Sequence, residues 1–191
     1  MLDPNNKIIV AVTGASGSVY ALRLLEAIRG LSTPPDEVAV VFSDTALKIW
    51  EFETGNRYED IPPAKTFRND DFFAPFASGS SVYEKMIICP ASMGTIGRIA
   101  CGVSDDLICR AADVMLKERR RLIIVPRETP YNLIHIRNME TLTLAGAVIC
   151  PASPSFYSRP ETIDDLVMTV VERIISLAGL GRDTWHWMEN D

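Results

Sequence analysis

Five short apolar runs, at 8–12, 38–42, 86–89, 122–125 and 147–150, punctuate the chain; each is rich in β-branched residues and stops at small or polar ones. Runs of this length predict buried strands. Because they do not alternate with polar residues, both faces of the sheet must be covered, which is the habit of a parallel sheet in an α/β domain. Helices then have to fill the gaps. Tyr20, Leu24, Leu25 and Ile28 recur at helical spacing ahead of Gly30, and the segments 46–54, 106–118 and 163–178 carry the same period. The stretch 55–83 is rich in Pro, Asp, Gly and Ser, and predicts long loops with one short edge strand around 65–68.

This β-α-β-α alternation predicts an α/β fold in three layers, a Rossmann-like (flavodoxin-like) parallel sheet with helices on both faces. A length of 191 residues fits a single domain spanning 1–191. Its tail from about residue 179 holds Trp185, His186 and Trp187, a cluster expected to dock onto this or a neighbouring subunit. With 47% hydrophobic and 23% charged residues the chain can bury a core. Nineteen basic residues against 25 acidic ones give a net charge of −6, which argues against general affinity for nucleic acid or an anionic membrane surface. No apolar run approaches the ~20 residues that span a bilayer, and the first residues lack a signal-peptide pattern, so a cytoplasmic location is expected. Cys89, Cys101, Cys109 and Cys150 form no CxxC pair, and neither a disulfide nor a metal site is expected.

In a doubly wound sheet, ligands bind beyond the carboxyl ends of the strands. The residues there are Thr13-Gly14-Ala15-Ser16-Gly17-Ser18, Ser43-Asp44, Pro90-Ala91-Ser92-Met93-Gly94-Thr95, Pro126-Arg127-Glu128 and Pro151-Ala152-Ser153. Small hydroxyl and glycine residues at helix N-termini offer backbone N–H groups to an anion, so a phosphate ester is the expected ligand; the alternative is that these residues are ordinary helix caps. The first loop lacks the third glycine of GxGxxG, and no GxxxxGK[ST] occurs. NAD and ATP both lose ground, although Asp44 beside Ser43 keeps a ribose contact open, and a mononucleotide such as FMN fits better.

Charged residues add a second theme. Lys117, Arg119, Arg120 and Arg121 close a predicted helix, where cations complement the dipole, and most of this cluster reads as a solvated helix end. Arg127 and Glu128 follow a buried strand and a proline, and so belong to the ligand rim. Arg110 lies seven residues before Lys117, about two turns along one face, so that both reach a common phosphate if that face meets the rim. Glu53 reads as exposed on the second helix and Tyr157 as a loop aromatic. Neither His135 nor His186 has a nucleophile signature nearby, which argues against a hydrolase triad.

Several motifs in order resemble the UbiX-type flavin prenyltransferases, which share a flavoprotein fold with the homo-oligomeric flavin-containing Cys decarboxylases. They are Thr13-Gly14-Ala15-Ser16-Gly17, Ala77-Ser78-Gly79-Ser80-Ser81, the segment 89–95 (CPASMGT), the segment 106–120 (DLICRAADVMLKERR), the segment 126–130 (PRETP) and Pro154-Ser155-Phe156-Tyr157. The resemblance implies an enzyme that joins the dimethylallyl group of dimethylallyl phosphate to N5 and C6 of reduced FMN without a metal. Its product, prenylated FMN, would be the cofactor of UbiD-type decarboxylases, and the enzyme a homo-oligomer, a dodecamer.

Carried over motif by motif, the resemblance implies that Gly14, Ala15, Ser16, Ser43, Ser92, Met93, Gly94, Thr95 and Arg127 hold FMN. Arg110, Lys117, Tyr157 and Arg173 would grip the isoprenyl phosphate, with Lys117 also acting in catalysis. Glu53 would lie beside the reactive edge of the flavin, and Ser16 and Glu128 would help move protons to the departing phosphate. Phe72-Phe73 stands where some members carry a tryptophan. Two other readings use the same fold: an FMN-dependent decarboxylase of a cysteine-terminated substrate, and a non-catalytic FMN electron carrier. The first resembles its relatives through a Pro-x-Met-Asn clamp not found here; the second has no need of Lys117 or of Arg127-Glu128 at the rim.

Overall fold

The computed structural model describes residues 6–181, so the docking expected of Trp185, His186 and Trp187 concerns residues outside the described ones. In chain order the elements are β1 (Lys7–Val12), α1 (Ser18–Arg29), β2 (Glu37–Phe42), α2 (Ala46–Thr54), β3 (Ala64–Phe67) and β4 (Lys85–Ala91). They continue with α3 (Met93–Ala100), α4 (Leu107–Lys117), β5 (Arg121–Pro126), α5 (Leu133–Leu144), β6 (Val148–Ile149) and α6 (Ile163–Ala178). The strands form one six-stranded sheet in the order β3-β2-β1-β4-β5-β6. Every pairing is parallel, with Ile8 opposite both Val38 and Lys85. Without the short edge strand β3, the order is that of flavodoxin-like sheets; with it, that of doubly wound dinucleotide folds.

Continuous apolar strands are buried on both sides, as the pattern requires. Ile9, Ala11, Val41, Ile88 and Ile124 face a core shared with α3 and α4 and with Leu142 of α5. Ile8, Val10, Val40, Ile87 and Ile123 face the opposite core, made with α1, α2 and α6. Alternate residues of one strand thus supply two hydrophobic layers, which is why no polar residue interrupts them.

Two helices escape the sequence pattern. At Met93–Ala100, α3 is only 8 residues long and holds two glycines, one of which lets α5 come close: a Cβ on Gly97 would lie 3.3 Å from Asn138 Nδ2. Along α5 only Leu142 is buried, while Leu133, Ile134, Ile136 and Leu144 are exposed, so no apolar stripe betrays the helix. Its start is instead set by Asn132, which accepts the His135 amide at 2.9 Å, while the His135 ring accepts the Asn132 amide in return. His135 is therefore half of a capping box.

The basic run after α4 corrects the sequence reading. Arg120 is no solvated helix end: its side chain is 12% exposed, and it donates to the carbonyls of Gly79 (2.9 Å) and Tyr83 (3.2 Å). Arg121 likewise donates to the Leu177 carbonyl at 2.6 Å. Arg119, in the left-handed region at φ 58°, makes no such side-chain bond among the described residues.

Candidate functional site

The sheet reverses its winding between β1 and β4, and a ligand crevice belongs there. Thr13, just after β1, ties the two strand ends together: its hydroxyl donates to the Pro90 carbonyl at 2.8 Å and accepts the Ser92 amide at 2.7 Å. The Ser43 amide donates to the Val12 carbonyl at 2.9 Å and brings the end of β2 alongside. A cleft of about 570 Å³ opens above these three strand ends, lined by Gly14, Ser43, Ser92, Gly94 and Thr95 among others. Five residues expected to hold FMN therefore share one cavity.

Local chemistry explains the cleft's shape. Ser92 caps α3, accepting the Thr95 amide at 3.3 Å, with the two hydroxyl oxygens 3.1 Å apart. At Gly94 an added Cβ would meet nothing within 4 Å, so the first turn of α3 presents bare backbone to open space. A Cβ on Gly14 would lie 2.2 Å from Thr45 Oγ1, which makes the close approach of these two loops depend on glycine. Ser43 Oγ is buried and has no hydrogen-bond partner among the described residues. A buried hydroxyl left unpaired is unfavourable by about 1–3 kcal/mol, and an oxygen-rich ligand at a helix N-terminus would relieve it. The capping residues at the ends of β2 and β4, which are small and amide-rich, fit the phosphate of a mononucleotide.

Four lining residues were not foreseen: Thr45, Asn69, Arg98 and Asp106. Asn69 lies in the polar loop before β4, yet its backbone carbonyl and Oδ1 accept the Leu107 and Ile108 amides at 2.7 and 3.1 Å. Asp106 accepts the Cys109 amide at 2.8 Å and caps α4. Partial burial would raise its carboxyl pKa, but the Cys109 amide and the Arg98 guanidinium outweigh it and hold the group below its usual range. The capping aspartate was legible one residue ahead of an apolar period; the loop that brings Asn69 to it was not.

The first loop is arranged differently from expectation. Glu53, at the end of α2, accepts the Gly17 amide at 2.9 Å and the Ser18 amide at 2.7 Å. The Ser16 hydroxyl also binds it, and these donors outweigh partial burial, so the carboxyl stays below its usual range. The N-terminal amides of α1 are thus held by Glu53, and the anion cradle falls to the ends of β2 and β4. Within this loop Ala15 is buried and Ser16 exposed; Arg127 is exposed as well. The stem of Arg127 passes Gly17: an added Cβ there would lie 3.8 Å from Arg127 Cγ. Met93 packs into the core below the cleft, and Glu128, also exposed, accepts the neighbouring Thr129 amide at 2.9 Å.

The four residues expected at the isoprenyl phosphate do not meet in one chain. Arg110 and Lys117 project from α4, on one face of the sheet, beside the loop 77–79: Arg110 Nε donates to the Ala77 carbonyl at 2.9 Å, and a Cβ on Gly79 would lie 2.6 Å from Lys117 Nζ. Lys117 is ion-paired with Glu118. Arg173 projects from α6, on the opposite face, where its charge acts on Cys150; Tyr157 follows β6 and is 72% exposed.

A family model described as Flavoprotein matches residues 2–175. Over 179 residues the chain is 46% identical to the flavin prenyltransferase UbiX of Thermoplasma acidophilum, covering 93% of this chain and 97% of that protein. The chain belongs to the flavin prenyltransferase family. Among solved structures of that kind it is similar to a dodecameric FMN-dependent UbiX-like decarboxylase from Escherichia coli O157:H7, with a TM-score of 0.88 and 39% identity, over 95% of this chain and 100% of that one. It is also similar to AnUbiX (PadA1) in complex with FMN and dimethylallyl pyrophosphate, with a TM-score of 0.83 and 39% identity over 96% and 99% of the two chains. The three-layer flavodoxin-like architecture is therefore the fold of the flavin prenyltransferases.

Proposed function

We propose that this protein joins the dimethylallyl group of dimethylallyl phosphate to N5 and C6 of reduced FMN, releasing inorganic phosphate and supplying prenylated FMN to a UbiD-type decarboxylase. The observation that carries this reading is the cleft between β1 and β4, whose amide-rich rim and unpaired Ser43 Oγ match a flavin phosphate. Gly14, Ala15, Ser16, Ser43, Ser92, Met93, Gly94, Thr95 and Arg127 would hold FMN. When bound, the reduced flavin supplies an electron-rich edge that accepts the allylic carbon.

Breaking the allylic C–O bond develops negative charge on the departing phosphate, and Arg110, Lys117, Tyr157 and Arg173 are the donors that would stabilise it. Since α4 and α6 lie on opposite faces of the sheet, these donors converge only when two copies of the chain meet. That geometry supports a homo-oligomer, as do the exposed Leu133, Ile134 and Ile136 of α5 and the dodecameric state named for the Escherichia coli relative. Glu53, tied to Gly17 and Ser18, would stand at the flavin edge; Ser16 and Glu128 would pass protons toward the phosphate. Among the described residues no helix is long and apolar enough to cross a membrane, and we place the protein in the cytoplasm.

Anaerobic incubation of the purified protein with reduced FMN and dimethylallyl phosphate tests this directly. Mass spectrometry should show a flavin heavier by one C5 unit and free phosphate in equal amount. An unchanged flavin would return the protein to the electron-carrier reading.

A further inference from the structure

Around the cleft, Arg98 is the one cationic side chain among the lining residues, which also include two acids, Asp44 and Asp106. It sits on α3, one turn beyond Gly94, where an added Cβ would meet nothing within 4 Å. Its Nη1 donates to Asp105 Oδ1 at 2.7 Å and to Asp106 Oδ2 at 2.6 Å. Asp106 is fixed in turn by the α4 amide it caps. Only Nη1 is engaged in hydrogen bonds among the described residues, which leaves the Nε and Nη2 donors of a guanidinium already held in place and two-thirds buried.

Taking the cleft as the flavin site, as above, we propose that Arg98 is a specificity-determining residue that donates to the phosphate of FMN and makes the cleft select the phosphorylated flavin over riboflavin. A dianion entering a space bordered by Asp44 and Asp106 needs a fixed countercharge, and α3 supplies only partial charge through its amides. Asp105 and Asp106 act as the positioning groups: they hold Arg98 by one nitrogen while its remaining donors stay available.

The test titrates wild-type protein, Arg98→Gln and the double variant Arg98→Gln/Asp106→Asn with FMN and with riboflavin, following quenching of flavin fluorescence. Asparagine caps helices as well as aspartate does, so the double variant removes the repulsive charge while keeping α4 capped. Arg98→Gln should weaken FMN by at least about tenfold, the loss of a charge-assisted hydrogen bond, and leave riboflavin within about twofold. The double variant should remain weak for FMN. Equal weakening of both flavins, no change in either, or recovery of FMN binding in the double variant would overturn the proposal, the last because Arg98 would then merely screen Asp106. If the wild-type protein itself does not prefer FMN to riboflavin, the assignment of the cleft falls first and takes this role with it.

Discussion

The carboxylate of Glu53 accepts the amide of Gly17 at 2.9 Å, so the last turn of α2 caps the first turn of α1 across 36 residues of sequence. The contact gives this side chain a structural job, beside the catalytic one proposed for it at the flavin edge.

Glu53→Gln separates them. The carboxyl is held below its ordinary value of 4.5, so its capping contribution is present above that value and is lost as pH falls through the lowered one. The variant should melt earlier than wild type near neutral pH by about 0.5–1 kcal/mol, the low end for a solvent-facing cap. That gap should narrow as the pH is lowered through the depressed value. Flavin binding should stay nearly intact while bond formation at the ring edge slows. A stability gap that persists in acid, or normal turnover, would remove one of the two roles.

Lys117→Ala should fold and bind FMN normally, yet lose about 2 kcal/mol of transition-state stabilisation, roughly thirtyfold in single-turnover rate. Arg119→Gln is the matching surface change, because Arg119 is exposed and makes no comparable bonds among the described residues. Arg120→Ala cannot serve as that control. It strips the Gly79 and Tyr83 carbonyls of a buried donor and should lower stability by about 1–3 kcal/mol. Equal, small rate effects at 117 and 119 would return Lys117 to the surface.

Gly14→Ala should weaken FMN binding more than it destabilises the fold. The added methyl would lie 2.2 Å from Thr45 Oγ1, so the threonine hydroxyl must turn away, and it lines the same cleft. Gly14→Ala/Thr45→Ala should then recover part of the lost affinity in the same titration; a double variant as weak as the single one would mean that the backbone itself had shifted.

At the opposite, amino-terminal end of the strands, the Tyr83 hydroxyl donates to Glu37, and Lys7 reaches the other carboxylate oxygen at 3.3 Å. Burial would raise the Glu37 pKa, but Tyr83 and Lys7 outweigh it and keep the group ionised. Glu37→Gln should lower stability by about 1 kcal/mol near neutral pH, with FMN affinity and turnover unchanged. A shift in FMN affinity would show that the two ends of the sheet are coupled.

Much of this architecture was written locally. The five apolar runs became strands because burial on both faces needs no partner pattern, and α2 and α6 span the predicted residues because period, caps and breakers agree there. The strand-end residues Gly14, Ser43, Ser92, Gly94 and Thr95 were legible for the same reason: a parallel sheet delivers its carboxyl ends to one edge. Three things were not legible, because each depends on which elements become neighbours. Glu53 is exposed, as its position suggested, but its hold on the Gly17 and Ser18 amides arises only because α2 comes to rest against the start of α1. Arg120 looked like a solvated helix end until the 77–83 loop folded over it and offered two carbonyls. Arg98 and Asn69 carry no motif, and enter the site only because α3, α4 and the loop after β3 meet above the switch point. Local sequence sets period, burial and capping, since these act within a turn or a strand; long-range packing decides which polar groups face one another, and so where the charge in the cleft resides.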